Sequence, residues 1–161
     1  MPAGVSAYTA LANVTLGSSA STVTFSSISG SYRDLRLVIA GTSSTAAGVF
    51  WIFNSDASST NYFNVFMLGD GGSAISGSAN SNSWSSFRGS NLTQYEGSVM
   101  DYSSTDKHKT VLIRQNSASD SGTMAMATRW ANTAAITSLQ VSLGAATFST
   151  GTTFSLYGVS A

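Results

Sequence analysis

Alternation with a period of two runs through almost all of this chain, and few folds can use it. In DLRLVIAG (34–41), Leu35, Leu37 and Ile39 share one face while Arg36 and Val38 point the other way. In TMAMATRW (123–130), Met124, Met126 and Trp130 line one face, with Ala125, Ala127 and Arg129 opposite. Val111 and Ile113 alternate with Thr110, Leu112 and Arg114, and Leu139, Val141 and Leu143 form the apolar set of ITSLQVSL. Each pattern describes a strand with one packed face. Helical signals are nearly absent, because Ser, Thr, Val and Gly dominate.

Two segments depart from strict alternation. GVFWIF (48–53) and YFNVFML (62–68) are apolar on both faces, as expected of central strands or strands covered on both sides. The apolar runs predict about ten strands, at 8–16, 22–28, 34–42, 48–54, 61–68, 83–89, 96–102, 108–116, 123–130, 135–143 and 152–159. The spacing suits a sandwich or barrel. LGSSAS, SISGSY, GDGGS, NSASDSG and FSTGTT supply the Gly, Asn, Asp and Ser that turns require. Residues 69–91, GDGGSAISGSANSNSWSSFRGSN, are low in complexity and read as a flexible loop or an excursion between strands. Neither a repeat nor a linker divides the chain, so residues 1–161 are expected to form a single antiparallel β-sandwich domain.

Ser and Thr fill 50 of the 161 positions, while charged residues make up 9%. The surface is therefore expected to be hydroxyl-rich rather than ionic. Seven basic residues balance seven acidic ones. Five Arg and two Lys, scattered, cannot build the basic face that displaces counterions from phosphate, so neither nucleic acid nor an anionic membrane is an expected partner. Near-neutral surfaces associate readily, which permits a homo-oligomer. The N-terminal residues lack a positive n-region and a continuous apolar h-region, and no run approaches the roughly 18 apolar residues that span a bilayer. A soluble protein made in the cytoplasm is the expectation.

No cysteine is present, which removes disulfides, thiolate metal sites and cysteine nucleophiles. The single histidine, His108, lies between Lys107 and Lys109 in TDKHKT, and no glycine-x-serine-x-glycine elbow marks an activated serine. His108 reads as a polar residue at the start of a strand. The carboxylates Asp34, Asp56, Asp70, Asp101, Asp106, Asp120 and Glu96 show no spacing that selects an acid/base pair. NSDAS (54–58) imitates a calcium loop but lacks its glycine and distal Glu, so it reads as a turn capped by side-chain hydrogen bonds. No cofactor, metal site or catalytic residue is expected, and the chain reads as a non-enzyme.

Trp51 and Trp130 sit in strand patterns and belong to the expected core. Trp84 and Phe87 lie in polar, low-complexity sequence, where an exposed aromatic marks a contact surface; burial is the equal alternative, since large aromatics are usually mostly buried. Arg33, Asp34 and Arg36 crowd together in YRDLRLVIAG, at the mouth of an apolar run. They suit a surface ion pair worth about 0–1 kcal/mol, or an orienting contact between copies. These five residues are the candidate partner-binding set.

Several blocks together resemble small virion proteins of tailed bacteriophages. They are Tyr32 to Ile39, NSDASSTNY (54–62), Asp101-Tyr102 with Lys107 to Val111, and the ending TAAITSLQVSLGAATFSTGTTFSLYGV (133–159); the opening SAYTALANVTLGSSASTVTFSSI (6–28) is also similar. The resemblance implies a jelly-roll-like β-sandwich on the particle exterior. Its partner would be the major capsid protein or another virion protein. No collagen-like, coiled-coil or β-helical shaft occurs in these residues, so a capsid decoration, cement or head-fibre protein is expected. A host-recognition module of a tail fibre or baseplate, binding carbohydrate, is the alternative. A trimer would match three-fold positions on an icosahedral shell.

Overall fold

The computed structural model describes residues 7–160, apart from residues 71, 89 and 119 and the side chains of residues 84–89 and 119–121. The strands are β1 (Tyr8–Thr15), β2 (Thr22–Phe25), β3 (Asp34–Gly41), β4 (Ala46–Phe53), β5 (Tyr62–Gly69) and β6 (Ala74–Asn80), followed by β7 (Ser83–Arg88), β8 (Thr93–Met100), β9 (Lys109–Ser117), β10 (Asp120–Trp130), β11 (Leu139–Leu143) and β12 (Thr153–Val159). A 3₁₀ turn at Ser59–Asn61 leads into β5.

These strands form two antiparallel sheets. One runs β1-β12-β3-β8-β9-β10-β5-β6 and the other β2-β11-β4-β7. The four strands β1-β12-β3-β8 opposite β2-β11-β4-β7 have the interleaved order of a jelly roll, in which successive strands of this set alternate between the sheets except at β4 and β7, which pair with each other. Two hairpins, β5-β6 and β9-β10, join the larger sheet beyond β8 and double its width. The fold is thus an all-β, antiparallel jelly-roll sandwich with a broad extension on one sheet.

The alternation seen in the sequence decides what lies between the sheets. β3 presents Leu35, Leu37 and Ile39 inward, β11 presents Leu139, Val141 and Leu143, and β12 presents Phe154 and Leu156; all are buried. Trp51, Phe53, Tyr62 and Trp130 form an aromatic cluster in which Phe53 lies 5.4 Å from Trp130 and 6.2 Å from Trp51, measured between ring centroids. Gly97 makes room for it. A Cβ there would sit 2.4 Å from Cη2 of Trp51, so only glycine lets the indole press against β8.

The structure corrects three sequence expectations. Among the described residues twelve strands are present rather than about ten, and β6 lies in none of the eleven ranges read from the sequence. Within the low-complexity segment 69–91 the strand expected at 83–89 is present as β7, paired with β4, but residues 74–80, read as a loop or excursion, form β6, which follows β5 in continuous register from Phe63↔Asn80 to Gly69↔Ala74. Ser, Gly and Ala carry little strand propensity, and here the neighbouring strand supplies the ladder instead. YFNVFML is not covered on both sides. Its Tyr62 and Asn64 are buried, but Phe63, Val65 and Met67 face outward at 40%, 48% and 64% exposure.

Candidate partner-binding surface

The charged cluster of YRDLRLVIAG lies where β3 begins, and its bonds run within the chain. The Arg33 N–H donates to the Val159 carbonyl at 2.9 Å, and its guanidinium donates twice to Asp34 Oδ2, at 3.1 and 2.9 Å. The other oxygen, Asp34 Oδ1, accepts the Asp101 N–H at 2.9 Å. Asp101 adopts a left-handed backbone with φ of 46°, so Asp34 pins the strained turn that leaves β8. Arg36 reaches both ways across the sheet. It pairs with Glu96 on β8 at 2.7 Å and donates to the Tyr8 hydroxyl on β1 at 3.0 Å, with its guanidinium 5.5 Å from the Tyr8 ring centroid. Tyr157 on β12 lies between them and meets Tyr8 edge-on at 6.5 Å. The cluster therefore ties β1, β3, β8 and a turn together.

The sequence block NSDASSTNY also holds the fold together. Asn54 Oδ1 accepts the N–H groups of Thr137 and Ser138 at 2.9 and 3.1 Å, and its Nδ2 donates to the Ala135 carbonyl at 2.8 Å. Asp56 takes the side-chain turn bond expected of it, from the Ser58 N–H at 3.2 Å. Its Oδ2 accepts the Trp130 indole N–H and the Asn61 amide, both at 2.8 Å. Burial works to raise the Asp56 pKa, but these hydrogen bonds outweigh it and hold the carboxyl below its ordinary value.

Potential chemistry is dispersed. His108 is exposed and lies one residue before β9, as its sequence context suggested. Among the described residues, no group of three or more His, Cys, Asp or Glu side chains could hold a metal ion. No described helix is long and apolar enough to cross a membrane. Lys109 is fully buried at the start of β9, donating to the Lys107 and Thr133 carbonyls at 3.0 and 3.1 Å, and burial pushes its pKa down.

What the sequence did not single out is the outer face of the sheet's extension. Register places Leu112, Ala127 and Val65 in one row across β9, β10 and β5, with Arg129 beside Phe63 in one adjoining row and Ala125 beside Met67 in the other. Leu112 is 51% exposed, so an apolar patch spans three strands with Arg129 and Arg114 at its margin. Arg36 belongs to the same row as Leu112, through Ser98, and so borders this face. Along one side runs a groove of about 860 Å³ whose walls include Val38, Gln94, Glu96, Arg114, Asn116 and Met67. Trp84 and Phe87 belong to β7, at the edge of the other sheet, so the fold does not bring them to Arg33, Asp34 and Arg36; their side chains lie outside the described residues.

The sequence matches no protein-family model and no curated protein. Among solved structures, the chain is similar to the marine PL-14 alginate lyase from Aplysia kurodai, at 13% identity and a TM-score of 0.33, covering 82% of this chain and 70% of that one. It is also similar to the Caenorhabditis elegans galectin LEC-6, at 12% identity and a TM-score of 0.37, covering 92% of this chain and 96% of that one. The jelly-roll assignment rests on strand order, and likenesses this distant carry no functional argument.

Proposed function

We propose that this chain is a non-enzymatic attachment protein of a bacteriophage particle, a decoration, cement or head-fibre protein that binds the exterior of the capsid shell. The observation that carries the reading is the exposed apolar patch of Phe63, Val65, Met67 and Leu112. Interfaces typically combine such a centre, rich in Met and aromatic residues, with an Arg-containing polar rim. The strands that carry it, β9, β10 and β5, are each hydrogen-bonded on both sides, so docking costs little ordering of the backbone. Repeated copies on a shell would then turn modest contacts into firm attachment. The virion assignment itself draws on the sequence blocks that resemble phage proteins.

Co-sedimentation of the purified chain with capsid shells tests this. Val65→Lys combined with Leu112→Lys should abolish binding while leaving the melting temperature within a few degrees, since both side chains already face water. Full binding by that folded variant would overturn the assignment of the face.

A second reading, host-glycan recognition by a tail-associated module, is favoured by the groove, where Gln94, Glu96, Arg114 and Asn116 offer donors and acceptors suited to sugar hydroxyls. Glycan-array binding lost in Asn116→Ala supports it, and an array with no signal removes it.

A further inference from the structure

The free edges of the two sheets differ in how well they are protected. A strand at a sheet edge leaves N–H and C=O groups unpaired, and proteins blunt such edges with bulges, charges, proline or brevity. β1 carries a register shift between Ala10 and Ala12. β2 has four residues, and β7 has a register shift at Gly48/Phe50 of its partner and ends on Arg88. β6 has none of these devices. Its seven residues, AISGSAN, include no charge and no proline, pair with β5 without a shift, and are exposed except for half-buried Gly77.

The edge is also held ready. Asp70 Oδ1 accepts the N–H groups of Gly72 and Ser73 at 2.9 and 2.7 Å, closing the turn before β6. At the other end, buried Asn64 donates to the carbonyls of Ser81 and Ser83, both at 2.9 Å. The backbone bonds that flank β6, Ser81 N–H to Tyr62 and Asp70 N–H to Ser73, fix which residues bond to β5. By the alternation of an antiparallel ladder, Ile75, Gly77 and Ala79 turn their N–H and C=O groups toward β5, and Ala74, Ser76, Ser78 and Asn80 turn theirs away.

We infer that β6 is a self-association edge, through which two copies pair antiparallel about a two-fold axis at Gly77 to form one continuous sheet. The strand is close to a palindrome about that residue. Pairing centred there sets Ser76 against Ser78 of the second copy and Ile75 against its Ala79, so like chemistry meets like on each face. It is also the register that uses all four outward-facing residues of both copies. Gly77 lies under the Phe66 ring, where a Cβ would come within 2.8 Å, so the residue at the axis adds no side chain of its own and the Phe66 rings of the two copies flank it. Ile75 shares a row with Leu68 and Met124 and is 53% exposed; the second copy would cover part of it. A self-complementary strand produces a two-fold dimer rather than the three-fold assembly suggested by capsid analogy.

The test is self-association of the full chain by sedimentation velocity across a concentration series, for the wild type, Ser76→Pro, Ser78→Pro and Ser78→Lys. Ser76 and Ser78 give no N–H to β5, so proline there should leave the fold intact while blocking the edge. The wild type is expected at twice the chain mass and the three variants at the chain mass, with circular dichroism unchanged. Hydrogen exchange on the wild type serves if a variant fails to fold: the Ser76 and Ser78 amides should gain protection as concentration rises. A wild type that stays monomeric at millimolar concentration overturns the inference. So does a dimer that persists in folded proline variants, or whose Ser76 and Ser78 amides exchange at monomer rates. None of these outcomes depends on binding to a capsid.

Discussion

The Trp130 indole N–H donates to Asp56 Oδ2 at 2.8 Å, joining a surface turn to the aromatic centre of the core. Asp56→Ala leaves that buried indole without its acceptor and also frees the Asn61 amide. A loss of about 1–3 kcal/mol in urea unfolding is expected, with the m-value unchanged. A cost below a few tenths of a kcal/mol would show that the turn is not coupled to the core.

The same carboxylate gives stability a pH dependence of known sign. Its folded pKa is held below the ordinary value of 3.8, so its contribution is fully present above that value and is lost as pH falls through the folded pKa. Asp70 and Asp106 are lowered as well, by hydrogen bonds from Ser73 and Ser104 respectively, and act in the same direction. Unfolding free energy should therefore fall below about pH 4, and Asp56→Asn should fall less steeply there than the wild type.

Neighbouring members of the charged cluster should differ in effect. Asp34→Ala removes the acceptor for the Asp101 N–H at a left-handed turn and should cost about 1–2 kcal/mol. Among the described residues the Arg33 guanidinium pairs with Asp34, at a site that is more than half exposed, so Arg33→Ala should cost about 0–1 kcal/mol. Thermal melts of the two variants side by side check the order, and the reverse order would contradict the geometry.

Gly97→Ala drives a methyl group into Trp51. Overpacking of this kind costs about 1–3 kcal/mol, and the indole must move, so near-ultraviolet circular dichroism should change along with the melting temperature. An unchanged aromatic spectrum would mean that the indole does not pack against β8 as described.

Much of the fold can be read along the chain, because burial on a strand needs only alternate residues. Parity alone places Leu35, Leu37, Ile39, Val111 and Ile113 inside, and it also puts Lys109 in the buried set, two residues before Val111. β6 was legible only as a low-complexity excursion, because what makes it a strand is the ladder offered by β5, not its own residues. The opening cluster could be seen as purposeful, but its partners could not. Arg36 meets Tyr8 and Glu96 only after the jelly roll has brought β1, β3 and β8 into one sheet. The outer apolar patch was hidden for a related reason. YFNVFML reads as doubly buried until the order of strands shows that nothing described packs over its Phe63 side.

Imaging intact phage particles at side-chain resolution tests the proposed attachment to the capsid. A jelly-roll density is expected on the outside of the head, with Phe63, Val65, Met67 and Leu112 turned toward the shell. Particles that lack this chain, or a chain bound with that face open to solvent, would contradict it.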